Sequence, residues 1–111
     1  MKVIYISSPY TLGDSAAHVT TQLQAAHHIL DMGHCPVAPL LTHFLHIYQP
    51  RPYEDWMQMD LAIVPRVDAL IRLPGESKGA DREVQKAREC GIPIFTDWAS
   101  LAAALDKESA S

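Results

Sequence analysis

The sequence predicts an α/β domain with a parallel sheet, and three observations lead there. The apolar pattern changes period several times along the chain, as alternating strands and helices require. The runs at 3–7, 35–38, 68–73 and 92–95 are short, apolar and bounded by turn residues, which suits strands. Between them lie longer stretches with apolar residues three and four apart, which suits helices packed on a sheet.

Taken in order, residues 3–7 form the first strand, followed by a loop from Ser7 to Gly13. Asp14 or Ser15 can cap a helix whose inward face is expected to carry Val19, Leu23, Ala26 and Leu30, and Gly33 stops it. Residues 35–38 make a short second strand ended by Pro39. Residues 40–48 make a short helix or ordered loop bearing His43 and His46, and Pro50 and Pro52 break the chain again. From 52 to 64, Tyr53, Trp56, Met57, Leu61 and Val64 fall at helical spacing, with Pro52 suited to the first turn and Asp60 on one flank. Residues 68–73 form the third strand. A turn-rich loop at 74–79 opens a helix of about a dozen residues ending near Gly91. Residues 92–95 form the fourth strand, 98–105 the last helix, and 107–111 a frayed tail, leaving 1–106 as one domain.

A chain of 111 residues suits one compact core. Its net charge of −4, without a Lys/Arg cluster, argues against a nucleic-acid polymer as partner, because tracking phosphates takes a basic stripe. No apolar run approaches the roughly 20 residues that span a bilayer. The N-terminus lacks a signal-peptide cleavage site, so a cytoplasmic protein with a small-molecule partner and no membrane association is expected. Cys35 and Cys90 show no CxxC spacing and read as reduced thiols. His43 and His46 lie three apart and His27 and His28 are adjacent, but no HExxH or Cys/His spacing accompanies them, so no metal site is expected.

Parallel sheets bind ligands beyond the C-terminal ends of their strands, which directs attention to the segments after strands one, two and three. In Ser77-Lys78-Gly79-Ala80-Asp81-Arg82-Glu83 a hydroxyl and a glycine begin a helix, where free N–H groups and the helix dipole favour an anion such as a phosphate. Glu83 follows about one turn inside that helix. Each candidate also has a plain structural role available. Ser77 can be an N-cap and Glu83 a solvated carboxylate, Tyr5 a core aromatic, Asp60 a solvated helix residue, and Asp68 a partner for turn amides. Trp56 can be core or a wall on which a base stacks.

Tyr5, Ser7-Ser8-Pro9-Tyr10-Thr11, Pro39 with His43, Asp60, Asp68 and Ser77-x-Gly79-x-x-x-Glu83, in this order and spacing, resemble the nucleoside 2-deoxyribosyltransferase superfamily over residues 2 to 96. That superfamily includes transferases that exchange nucleobases and hydrolases that cleave nucleoside 5′-monophosphates. The resemblance implies a three-layer flavodoxin-like or Rossmann-like domain, with four or at most five parallel strands in the order 2-1-3-4, and a homodimer or larger assembly. It implies an enzyme in which Glu83 is the nucleophile, Tyr5 its neighbour on strand one, Asp60 the aspartate near the leaving base, and Asp68 the strand-three aspartate. Ser8, Tyr10, His43, Trp56, Ser77, Gly79 and Arg82 would bind the nucleoside or its phosphate. No cofactor is required, because carboxylates supply both acid and nucleophile.

Two departures bear on the substrate. Ser77 stands where base-exchanging members carry a sugar-recognising aspartate and nucleotide-hydrolysing members carry serine. The first loop lacks the glycine- and arginine-rich phosphate loop of those hydrolases, so Ser8, Ser77, Gly79 and Arg82 would have to bind phosphate. The chain also ends soon after strand four, without the segment by which the transferases complete a neighbour's site, which leaves base choice and oligomer geometry open. Two alternatives stand beside this expectation. One is a nucleotide-binding or sensing module without turnover. The other is a glycohydrolase of another nucleotide-like signal such as an ADP-ribose derivative, since Pro74-Gly75 with Gly79 and Glu83 is loosely similar to other phosphoribohydrolase loops.

Overall fold

The computed structural model describes residues 1–10 and 15–110. Strand β1 (Val3–Ser7) is followed by helix α1 (Ser15–Asp31), strand β2 (Cys35–Val37), a 3-10 turn at Pro39–Leu41 and helix α2 (Thr42–Tyr48). Helix α3 (Tyr53–Ile63), a second 3-10 turn (Val64–Arg66), strand β3 (Ala69–Arg72), helix α4 (Lys78–Glu89), strand β4 (Ile94–Phe95) and helix α5 (Trp98–Ala110) complete the order. The four strands are all parallel in the order β2-β1-β3-β4, a flavodoxin-like arrangement with helices on both faces.

The two-residue period of the pleat divides the core between the faces. Ile4, Ile6, Ala69 and Ile71 pack with Ala25, Ala26 and Ile29 of α1 and with Leu101 and Leu105 of α5. Tyr5 and Leu70, paired in register across β1 and β3, face the other way, onto Val64, Val67 and Ala87. Ser7 is two residues beyond Tyr5 and shares its face. An otherwise apolar strand thus carries both of its hydroxyls to the side covered by α3 and α4.

Glycine ends two helices by the same device. Gly33 and Gly91 have φ of 85° and 71°, a left-handed conformation that lets the chain turn back. At each, the following amide reaches a carbonyl five residues earlier, His34 to Ile29 at 3.1 Å and Ile92 to Ala87 at 2.9 Å, so the last helical carbonyls stay paired.

The expected inward face of α1 is corrected. Val19 and Ala26 are buried, but Leu23 and Leu30 are 37% and 52% exposed, while Gln22, Ala25 and Ile29 point inward. Helical spacing permits both rotations. Gln22 favours the observed one, because its Nε2 donates to the Ile6 carbonyl and to Ser8 Oγ, and its Oε1 accepts from the Leu40 amide at 2.7 Å. The Asp14 cap and the loop residues Thr11 to Gly13 lie outside the described residues. Pro52 is the extended residue just before α3 rather than part of its first turn. Helix α5 runs past its expected end near Leu105, with no glycine or proline there to stop it. Among the described residues no helix is long and apolar enough to cross a membrane.

Ile29→Ala should lower unfolding stability by about 2–5 kcal/mol, whereas Leu30→Ala should change it by less than about 0.5 kcal/mol, in urea titrations. Equal losses would contradict the observed rotation of α1.

Candidate active site

Helix α4 begins where the Ser77 side chain accepts a hydrogen bond from the Ala80 amide at 3.1 Å. This cap fixes the helix start, and Glu83 follows on the face turned to the sheet, 5% exposed. Burying a carboxylate is costly unless hydrogen bonds replace its water. Tyr5 Oη donates to Glu83 Oε2 at 2.8 Å, and Ser7 Oγ donates to Oε1 at 2.8 Å. Both carboxylate oxygens are therefore held, by hydroxyls that the pleat of β1 aims at them.

Asp60 of α3 is also buried, at 7% exposure, and lines a cleft together with Glu83. Burial, then the charge of Glu83, then a hydrogen bond to Glu83 push its carboxyl up to about 8. Burial likewise raises Glu83, but there the hydrogen bonds from Ser7, Tyr5 and Asp60 and the positive charge of Arg72 work in the opposite direction. Two adjacent carboxyls do not both ionise readily, and the one with more donors keeps the charge. Glu83 has Tyr5 and Ser7, whereas Asp60 Oδ1 is buried without a hydrogen-bond partner among the described residues. Burial raises both groups, and of the two Asp60 is the one that favours the proton and Glu83 the one better stabilised as an anion. Burial and the neighbouring Glu83 push the Tyr5 phenol far above its ordinary value, so it serves as a donor.

The cleft has a volume of about 210 Å³ and opens beyond the C-terminal ends of β1 and β3. One wall is Ser8 with Ser77, Gly79 and Ala80 at the start of α4, and another is Tyr10, His43, His46 and Trp56. At Gly79 a Cβ would lie 2.7 Å from Tyr53 Oη and 3.4 Å from Met57 Sδ, so glycine permits the close approach of α3 to α4. Tyr10 Oη and His43 Nδ1 are 2.5 Å apart, with the rings edge to face. Trp56 Nε1 donates to His46 Nδ1 at 2.9 Å. Among the described residues, no group of three or more His, Cys, Asp or Glu side chains is arranged to hold a metal ion.

Of the residues singled out in the sequence, Ser8, Tyr10, His43, Trp56, Asp60, Ser77, Gly79 and Glu83 line this one cleft, and Tyr5 supports it from beneath. Asp60 is not the flanking residue that its helix pattern suggested. Two others are not brought to the cleft. Asp68 precedes β3 at the opposite end of the sheet, where Oδ2 accepts from the Val3 amide at 2.8 Å, so it caps the strand pair. Arg82 turns outward and forms a two-pronged pair with Glu54 of α3, at 2.9 and 2.7 Å. That pairing holds Glu54 down at about 2 and occupies the guanidinium that a phosphate would need.

With this geometry in place, comparison with known proteins gives a family. The model described as Domain of unknown function (DUF7768) matches residues 2–97. The chain belongs to that family. No curated protein matches it. Among solved structures, a 2-deoxyribosyltransferase from the psychrotolerant bacterium Bacillus psychrosaccharolyticus is similar with a TM-score of 0.56 and 20% identity, covering 83% of this chain and 69% of that chain. At that identity the likeness establishes a shared fold.

In this DUF7768 chain Ser7 stood out in the sequence only within the first-loop motif, and Gln22 and Tyr53 did not stand out as site residues at all. The spacing of Tyr5 and Ser7 on a strand was a usable signal, since period two puts both on one face. Gln22 gave none, because a glutamine in a helix ordinarily reads as exposed.

The Asp60 proton sets a dependence of stability on pH. An unfolded aspartate releases it near 3.8 and the folded chain near 8, so the native state binds more protons in between and this group makes stability fall as pH rises. The slope is at most about 1.4 kcal/mol per pH unit and vanishes above pH 8. Urea titrations at pH 5 and pH 8 should show Asp60→Asn gaining on the wild type at the higher pH. A constant difference would mean that Asp60 is ionised throughout.

Proposed function

We propose that this chain cleaves or transfers the N-glycosidic bond of a nucleoside or a nucleoside 5′-monophosphate, with Glu83 as nucleophile and Asp60 as acid. The observation that carries the reading is the Glu83–Asp60 pair, two buried carboxyl groups in a single cleft of which Glu83 alone is held by the Tyr5 and Ser7 hydroxyls. Two carboxyl groups whose surroundings push their proton affinities apart are suited to divide nucleophile and acid roles.

In the first step a Glu83 oxygen bonds to the anomeric carbon as the bond from that carbon to the base nitrogen breaks. The bonding pair stays on the base, which takes the Asp60 proton and leaves neutral. In the second step water, or the nitrogen of an incoming base, attacks the same carbon and displaces Glu83, giving its proton to Asp60. Two displacements retain the configuration of the sugar. Tyr5 and Ser7 do not react; they hold Glu83 in place and keep it charged. Ser8, Ser77 and the free amides at the start of α4 suit a 5′-phosphate. The fold shared with a 2-deoxyribosyltransferase supports this reading.

Incubation with pooled ribo- and deoxyribonucleosides and their 5′-monophosphates, followed by mass spectrometry, should show free base released by the wild type. Glu83→Ala should slow release by at least about a thousandfold, or about 4 kcal/mol of barrier. Full activity in Glu83→Ala would end the nucleophile assignment. Tight binding with every ligand intact after long incubation would favour a sensing module.

A further inference from the structure

His46 lies on α2, apart from the carboxyl pair, and lines the cleft beside Trp56. Its Nδ1 accepts from Trp56 Nε1 at 2.9 Å and from the Arg51 backbone amide at 3.3 Å. Both partners are N–H groups that can only donate, so Nδ1 carries no hydrogen while these bonds exist. The neutral ring must then place its single hydrogen on Nε2. Among the described residues Nε2 has no hydrogen-bond partner. Trp56 has committed its N–H to His46 and offers the cleft only its ring. Tyr10 and His43 Nδ1 satisfy one another. Arg51, on the same wall, has donors and no acceptor in its side chain.

Trp56 and Asp60 are four residues apart on α3, so they lie one turn apart on the same side. A base that takes a proton from Asp60 would rest near Trp56, with its outer edge toward His46. Resting on the N-glycosidic reading above, we infer that the cleft selects nucleosides whose base presents a carbonyl oxygen to His46 Nε2–H, namely 6-oxopurines and 4-oxopyrimidines, over their amino counterparts. A carbonyl accepts the hydrogen that the imidazole offers. An exocyclic amine sets N–H against N–H and leaves both without partners, and a binding site rejects a mismatch of that kind strongly.

The test uses matched pairs, inosine with adenosine and uridine with cytidine, in ribo, deoxyribo and 5′-monophosphate forms, with base release scored for wild type, His46→Ala and His46→Gln. The wild type should favour the oxo member by at least about tenfold in kcat/KM, equivalent to about 1.4 kcal/mol. His46→Ala should bring the ratio within about twofold by slowing the oxo substrates, and His46→Gln, which keeps an N–H donor, should restore part of it. Equal or better turnover of the amino members, or a preference unchanged in His46→Ala, overturns the inference and leaves the N-glycosidic reading standing. If no base is released, calorimetric binding of hypoxanthine and adenine separates the two questions. An oxo preference lost in His46→Ala supports the recognition role though cleavage has failed, whereas equal binding or none overturns it.

Discussion

The site depends on keeping one carboxylate, Glu83, charged where water is excluded. Burial alone would neutralise it, and the two hydroxyls of β1 oppose that tendency. Their position follows from strand geometry, since Tyr5 and Ser7 are two residues apart and share a face. Because Glu83 has these donors, it is the better stabilised anion of the two, and the neighbouring carboxyl on α3 is the one that favours the proton. The unequal state of two chemically similar acids therefore originates in the pleat of a five-residue strand.

A second buried polar group organises the surrounding wall. Gln22 bonds to the end of β1, to Ser8 beyond it and to Leu40 in the turn after β2, so one amide ties together three segments near the cleft. Its burial would be unfavourable if any of these bonds were missing. The Arg82–Glu54 pair provides a different tie, at the surface, between the helices that carry Glu83 and Asp60. Being exposed, it contributes alignment more than stability.

The fold was legible because its signals are local. Changes of period, glycines after helices and prolines between elements located the strands and helices, whereas the strand order 2-1-3-4 is not local and followed only from the family resemblance. The gathering of Tyr5, Asp60 and Glu83 was legible only through family resemblance, because their contact spans distant segments. The failures share a physical origin. Helical spacing did not fix the rotation of α1, since three hydrogen bonds to Gln22 outweighed the exposure of Leu23 and Leu30. Asp68 and Arg82 look like site residues by position in the chain, yet which end of the sheet one occupies and which partner the other finds are tertiary facts. Nor could the pattern show that Asp60 turns inward, because a carboxyl on a half-apolar helix is usually solvated.

The hydroxyls that hold Glu83 lie 78 and 76 residues before it in the chain. Contacts of such separation form only after a long stretch of chain has been closed, at a large entropic cost that local structure does not offset. A nascent or partly folded chain can contain helix α4 and its glutamate, but that carboxyl would still be an ordinary solvated acid. The buried, hydroxyl-held state of the residue is thus acquired cooperatively, when α4 docks on β1. Burial of this carboxyl and completion of the fold are the same event, so a half-made chain carries Glu83 without the surroundings that set it apart from any other glutamate.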